Sequence, residues 1–201
     1  MAYANYYDYA GKLEKSRIYA DSAIAIIDRQ PVKDSLWTKY YFAAHMKEAN
    51  SFFKTGDYPQ AIEGYFRIKV LADRPGNRCT IGVQLHNNIG LILFRQQKYT
   101  AAGRFFKEAL GILDSCSVEA SVKTIKTTIQ QQIIDNIGQS FAKTGRSDSA
   151  LVYYRKALYV IQSGRFSADP IQNKISKEVA RGVVLSNIAG IFLKVNIQWF
   201  R

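Results

Sequence analysis

Few side chains here are capable of covalent or metal chemistry, and they are scattered. His45 and His86 are the two histidines of the 201-residue chain, and phosphotransfer or metal ligation is what a histidine could supply. Neither has a cysteine, a second histidine or a carboxylate at ligand spacing, so packing in a core or groove is the simpler use. Cys79 and Cys116 are the two cysteines. They lack the paired spacing of a zinc site or a redox motif and cannot build a disulfide framework; they could still approach each other at one end of a helix pair and bond in an oxidising compartment, but free thiols are the default. No Ser/His/Asp set, phosphate loop, metal cluster or pair of apposed carboxylates occurs in a loop context, and an enzyme active site, a cofactor and a metal are not expected. What does recur is polar and non-catalytic. Asn88, Asn136 and Asn187 share one place in a repeated pattern, and Lys54, Arg95, Lys143 and Lys194 share another.

The pattern itself is best seen by alignment. Glu48-Ala49-Asn50-Ser51-Phe52-Phe53-Lys54-Thr55-Gly56-Asp57-Tyr58 reads like Asn88-Ile89-Gly90-Leu91-Ile92-Leu93-Phe94-Arg95 with Gln97-Lys98-Tyr99, and again like Asn136-Ile137-Gly138-Gln139-Ser140-Phe141-Ala142-Lys143-Thr144-Gly145. The first half returns at Asn187-Ile188-Ala189-Gly190-Ile191-Phe192-Leu193-Lys194. A weaker copy opens the chain with Ala4, Tyr7, Gly11, Leu13 and Ser16, before Ala20 and Ala23. In each copy a small residue (Ala49, Gly90, Gly138, Ala189) lets two helices approach, and a bulky one three positions on (Phe52, Leu93, Phe141, Phe192) shares its face and fills the gap. Turns are expected at Gly56, Gln97 and Gly145, where glycine adopts a left-handed backbone cheaply and Gln97 must do without it. Pro59 suits the first turn of a second helix. Ala61, Tyr65 and Ile68, then Ala102, Phe106 and Ala109, then Ala150, Tyr154 and Ala157, keep the i, i+4, i+7 spacing of one buried stripe.

This series of small-x-x-bulky, Gly-x-Tyr and Ala-x-x-x-aromatic-x-x-Ala resembles the tetratricopeptide repeat. The resemblance implies an all-α fold, a right-handed alpha-alpha superhelix of about five antiparallel helix pairs, the last incomplete. The whole chain, 1–201, reads as one solenoid with approximate repeats at 1–35, 36–76, 77–117, 118–166 and 167–201. Equivalent turn positions at 11, 56, 97, 145 and 196 are 45, 41, 48 and 51 residues apart, longer than the roughly 34 of the family. The surplus is assigned to long first helices running through 119–143 and 169–194, capped near Ser117 and at Asp169 with Pro170 at the first helical position. Such long-period forms are similar to the sensory and docking regions of bacterial signalling proteins, histidine kinases and transcription regulators among them.

In that family the first helices line the inner, concave face and hold a protein or peptide. Carried over position by position, the resemblance implies a binding face of Asn50, Phe53 and Lys54, then Asn87, Leu91, Phe94 and Arg95, then Asp135, Gln139 and Lys143, then Ser186 and Lys194. Lys54, Arg95, Lys143 and Lys194 form a basic track suited to an acidic peptide, or simply close their helices against the dipole. The shared asparagines either bind peptide backbone or bridge neighbouring helices, where a partly buried amide must find a partner.

Charge and termini complete the reading. The net charge of +12 is uneven: residues 1–75 hold 11 Lys/Arg against 9 Asp/Glu, residues 76–201 hold 17 against 7. A basic surface attracts acidic proteins, nucleic acid and anionic lipid alike, so nucleic-acid binding is the alternative to a protein scaffold, although the bases are spread singly and no nucleic-acid motif is present. The apolar stretch from Gly182 to Phe200 is interrupted by Ser186, Asn187, Lys194, Asn196 and Gln198 and is not a membrane span. The first residues lack the features of a secretory signal, which points by default to the cytoplasm, or to the periplasm for a piece of an exported sensor. The last copy stops after its first helix with Ile197, Trp199 and Phe200 near the end. That reads as a fragment of a longer protein and as a face for self-association.

Overall fold

Each helix pair is closed by one residue of positive φ, and all four such turns use the same hydrogen bonds. Gly11, Gly56, Gln97 and Gly145 hold φ of 70°, 84°, 61° and 77°. At Gly56 the glycine N–H donates to Phe53 O at 3.2 Å and the Asp57 N–H reaches back to Phe52 O at 2.9 Å. The same pair of bonds recurs as Gly11 to Asp8 with Lys12 to Tyr7, Gln97 to Phe94 with Lys98 to Leu93, and Gly145 to Ala142 with Arg146 to Phe141. These bonds satisfy carbonyls that a helix end would otherwise leave open.

The computed structural model describes residues 2–30, 34–72, 77–116, 123–164 and 170–199. Among them are α1 (Ala2–Tyr9), α2 (Leu13–Asp28), α3 (Ser35–Thr55), α4 (Tyr58–Ala72), a π-helical turn (Arg78–Gly82), α5 (Val83–Arg95), α6 (Tyr99–Ser115), α7 (Lys123–Lys143), α8 (Ser147–Ser163) and α9 (Pro170–Trp199). No strand occurs among the described residues. The surplus length sits in first helices as expected, with α3 and α7 of 21 residues each and α9 of 30. Asp34 caps α3 by accepting the Trp37 N–H at 2.7 Å. Pro170 opens α9, whereas the caps expected at Ser117 and Asp169 lie outside the described residues.

Two compact units divide the chain, residues 1–85 and 86–201. In the first, Ser16 Oγ donates to Ala4 O at 2.8 Å and Ser51 Oγ to Leu13 O at 3.0 Å, tying α2 to α1 and α3 to α2. Ala49 faces Gly64 so closely that a Cβ on the glycine would lie 2.9 Å from Ala49 Cβ. In the second unit, Ile134, Ala150, Tyr154, Ala157, Ile161, Val184 and Ile191 join α7, α8 and α9 in one cluster. Every residue of the three predicted stripes on α4, α6 and α8 is at most 1% exposed. Burial of an aromatic such as Phe106 contributes about 1.5–3 kcal/mol.

The small first-helix residue lets the second helix approach as expected: a Cβ on Gly90 would lie 2.6 Å from the Phe106 ring, and one on Gly138 2.6 Å from the Tyr154 ring. Phe52, Leu93 and Phe141 are half-buried. In the last copy the expectation fails, since Ala189 and Phe192 are exposed with no second helix to cover them among the described residues. Two further expectations are corrected. Asn196 is not a turn, since α9 runs through it to Trp199; it has no glycine to reverse the chain. Cys79, in the π-helical turn, and Cys116, the C-cap of α6, are disulfide-bonded rather than free thiols.

Candidate functional site

In the first unit the predicted binding residues are occupied by partners of their own. Asn50 Oδ1 accepts the Tyr65 hydroxyl at 2.5 Å. The Phe53 ring lies 6.1 Å from that of Tyr58. Lys54 donates to Asp8 Oδ1 at 2.5 Å, and Lys47, two turns earlier on α3, donates to Asp8 Oδ2 at 2.8 Å. Burial of Asp8 raises its pKa, but the two lysine ammonium groups outweigh that and hold the carboxyl below its ordinary value. His45 is a core residue at 3% exposure, with Nδ1 3.2 Å from Glu48 Oε2 and its ring 4.3 Å from Tyr41. Glu48, three residues on, is a neighbour that sequence reasoning passed over; it also receives Arg67 at 3.5 Å. No cluster of metal-ligating groups exists among the described residues.

In the second unit, polar first-helix side chains step from one repeat to the next. Asn136 Nδ2 on α7 donates to Asn87 Oδ1 on α5 at 3.3 Å. Asn187 Nδ2 on α9 donates to both oxygens of Asp135 on α7, at 3.0 and 3.3 Å. In each case the shared asparagine reaches the residue just ahead of the previous repeat's shared asparagine. Asn87 in turn donates to Asn88 Oδ1 at 3.5 Å. Of the two readings left open for these amides, bridging between helices describes Asn136 and Asn187.

Asp135 is the centre of this set. It is 5% exposed and accepts Gln139 Nε2 at 2.8 Å in addition to Asn187. Burial pushes its carboxyl above the ordinary range, and the two amide donors partly offset that. The same burial, with the Asp135 charge nearby, raises the Tyr154 phenol strongly. Asp135 and Asn136 open into a groove of about 600 Å³ between α7 and α9, bordered also by Gln131, Gln132, Ser176 and Val179. Amides and hydroxyls line its α7 side, while Ile175, Val179 and Val183 of α9 stand half or more exposed.

The other predicted positions are not gathered there. Leu91 is half-buried, the Phe94 ring meets Tyr99 edge-on at 5.1 Å, and Arg95 and Lys143 are exposed in the last turns of α5 and α7. Ser186 is exposed on α9; Lys194 lies on that helix with its side chain outside the described residues. Gln131 and Gln132 were missed although they stand four and three residues before Asp135, the spacing that places side chains on one helical face.

Helix pairs closed by identical turns, with amides bridging successive first helices, define a helical repeat protein. The family model for the tetratricopeptide repeat matches residues 83–112 and 132–163. Those two segments of the chain are similar to the tetratricopeptide repeat. No curated protein matches it. Among solved structures it is similar to BtubC (BKLC) from P. vanneervenii, at 18% identity and a TM-score of 0.69, over 96% of this chain and 73% of that one. It is also similar to the apo form of RapI, at 16% identity and a TM-score of 0.68, over 98% and 67%. A Podosopora anserina protein described as kinesin light chain with nearly identical TPR-like repeats is similar at 11% identity and a TM-score of 0.57, over 96% and 92%. At these identities the likeness is one of fold, that of helical solenoids.

Proposed function

We propose that the chain is a protein- or peptide-binding scaffold and that the α7–α9 groove of the second unit seats an extended segment of its partner. The groove carries this reading: amides from α7 match the donors and acceptors of a peptide backbone, and the apolar side chains of α9 offer surface for alternate residues of the bound segment. Arg95 and Lys143, with the charge of +12, favour an acidic partner. The chain holds its partner and does not transform it. Its long first helices suit the docking region of a larger bacterial regulatory protein, a histidine kinase or transcription regulator. The uncovered Ala189, Phe192 and Leu193 of α9 offer a second copy a place to dock.

Selection of binders from a random peptide library tests this, comparing the chain with Val179→Asp, which places a charge in the groove on an exposed position. Peptides that hold at moderate salt and lose about tenfold or more in affinity to the variant support the groove. Nucleic acid recovered alone, and stripped steeply by salt through counterion release, sinks the scaffold reading in favour of basic charge. Sedimentation of the free chain as a monomer at all concentrations removes the second-copy docking.

A further inference from the structure

The second unit contains a smaller pocket, of about 120 Å³, away from the groove, where the first turn of α6 meets the α7–α8 turn. Thr100, Gly103, Arg104, Lys107, Phe141 and Arg146 bound it. Two of its cations sit on one ring: Lys107 Nζ lies 4.7 Å and Arg146 Cζ 4.8 Å from the Phe141 centroid. Phe141 is itself stacked on Tyr153 at 5.4 Å. No carboxylate lines the pocket, and Arg104, Lys107 and Arg146 form no ion pair among the described residues. That contrasts with Lys47, Lys54 and Arg67 of the first unit, each of which holds a carboxylate.

We propose that this pocket is a recognition site for a phosphate group carried on a segment of a partner protein. Three unneutralised cations around one small cavity match a dianion better than the single charge of an aspartate or glutamate, because a phosphomonoester carries about −1.5 to −2 at neutral pH and three acceptor oxygens. The arginine forks meet such oxygens in pairs. Stacking on Phe141 holds Arg146 and Lys107 in place before a ligand arrives, which lowers the ordering cost of binding. Further donors stand at the wall: Lys98 gives α6 no side-chain cap, and the first helical bond is Ala102 N–H to Lys98 O, so the N–H groups ahead of it lack helical acceptors. Ser140 and Thr144 commit their hydroxyl protons to backbone carbonyls, leaving recognition to the cations, Thr100 and these amides. A cavity of about 120 Å³ has room for a phosphate group. A nucleic acid would instead need a row of phosphate contacts.

The proposal takes from the scaffold reading only that a protein presents the phosphate. Titration calorimetry of the whole chain at about 0.15 M salt tests it with the blocked peptide acetyl-Gly-Gly-phosphoserine-Gly-Gly-amide, its unphosphorylated form, inorganic phosphate and a short oligothymidylate. The expected result is binding of the phosphopeptide at least about tenfold tighter than of the plain peptide, lost in Arg104→Gln/Arg146→Gln and in Thr100→Glu, and kept in Lys156→Gln, whose cation lies over Tyr153 and not in the pocket. Equal loss in Lys156→Gln means diffuse charge and overturns the site. Tighter oligothymidylate binding through the same residues overturns it in favour of nucleic acid, and inorganic phosphate bound as tightly as the phosphopeptide overturns the protein-borne source. Val179→Asp leaves this pocket intact, so a failed groove and a failed pocket are told apart.

Discussion

Gln97 holds a φ of 61° in a turn whose counterparts are glycines at 70°, 84° and 77°. A side chain in that region crowds its own carbonyl at a cost of about 1–2 kcal/mol, and the two reverse bonds to Phe94 and Leu93 keep it there. Gln97→Gly is therefore expected to stabilise the chain by about 1 kcal/mol and Gly145→Ala to destabilise it by a similar amount, both read from denaturant midpoints. The turn was legible in the sequence because the sign of φ is a property of one residue and its neighbours. The environment of His45 was less so. Its position on a helix could be read, but its burial against Tyr41 and its contact with Glu48 depend on which face the neighbouring helices cover.

On the scale of the element, the second helices were the most legible part of the molecule. Ala102, Phe106 and Ala109 on α6, and Ala150, Tyr154 and Ala157 on α8, are spaced for one buried face, and packing completes what the spacing begins. Ala102 and Ala150 are fully buried, so Ala102→Leu and Ala150→Leu are expected to cost about 1–3 kcal/mol by overpacking; unchanged melting temperatures in both would contradict the assignment. The small residues of the first helices were also legible, at Gly90 and Gly138 where the partner helix's ring sits against them, but the same signature does not say whether a partner helix is there. The α9 helix shows why. It carries the same signature in Ala189 and Phe192, yet both are exposed, because a packing motif describes a surface and not its cover.

For the molecule as a whole, Asp8 and Asp135 act on stability with opposite sign. Asp8, held below its ordinary value by Lys47 and Lys54, contributes stability that is present above the unfolded value of 3.8 and lost as pH falls through its depressed one. Asp135, raised by burial, contributes stability that is present below that value and lost as pH rises through its raised one. Melting temperature against pH is expected to show the deficit of Asp8→Asn vanishing in acid, and the loss on leaving acid to be shallower in Asp135→Asn than in the parent chain. Neither the α7–α9 groove nor the Phe141 pocket was legible beforehand. Asp135 and Asn136 stood out by their repeat positions, but each cavity is assembled from helices dozens of residues apart, whose packing no local pattern fixes. The amide bridges follow a grammar that is legible only afterwards: Asn136 looks back to Asn87, and Asn187 looks back to Asp135. The acceptor differs from joint to joint, an amide oxygen for Asn136 and a carboxylate for Asn187, so the two seams share a spacing and not a charge, and only the second changes its strength with the protonation of its acceptor.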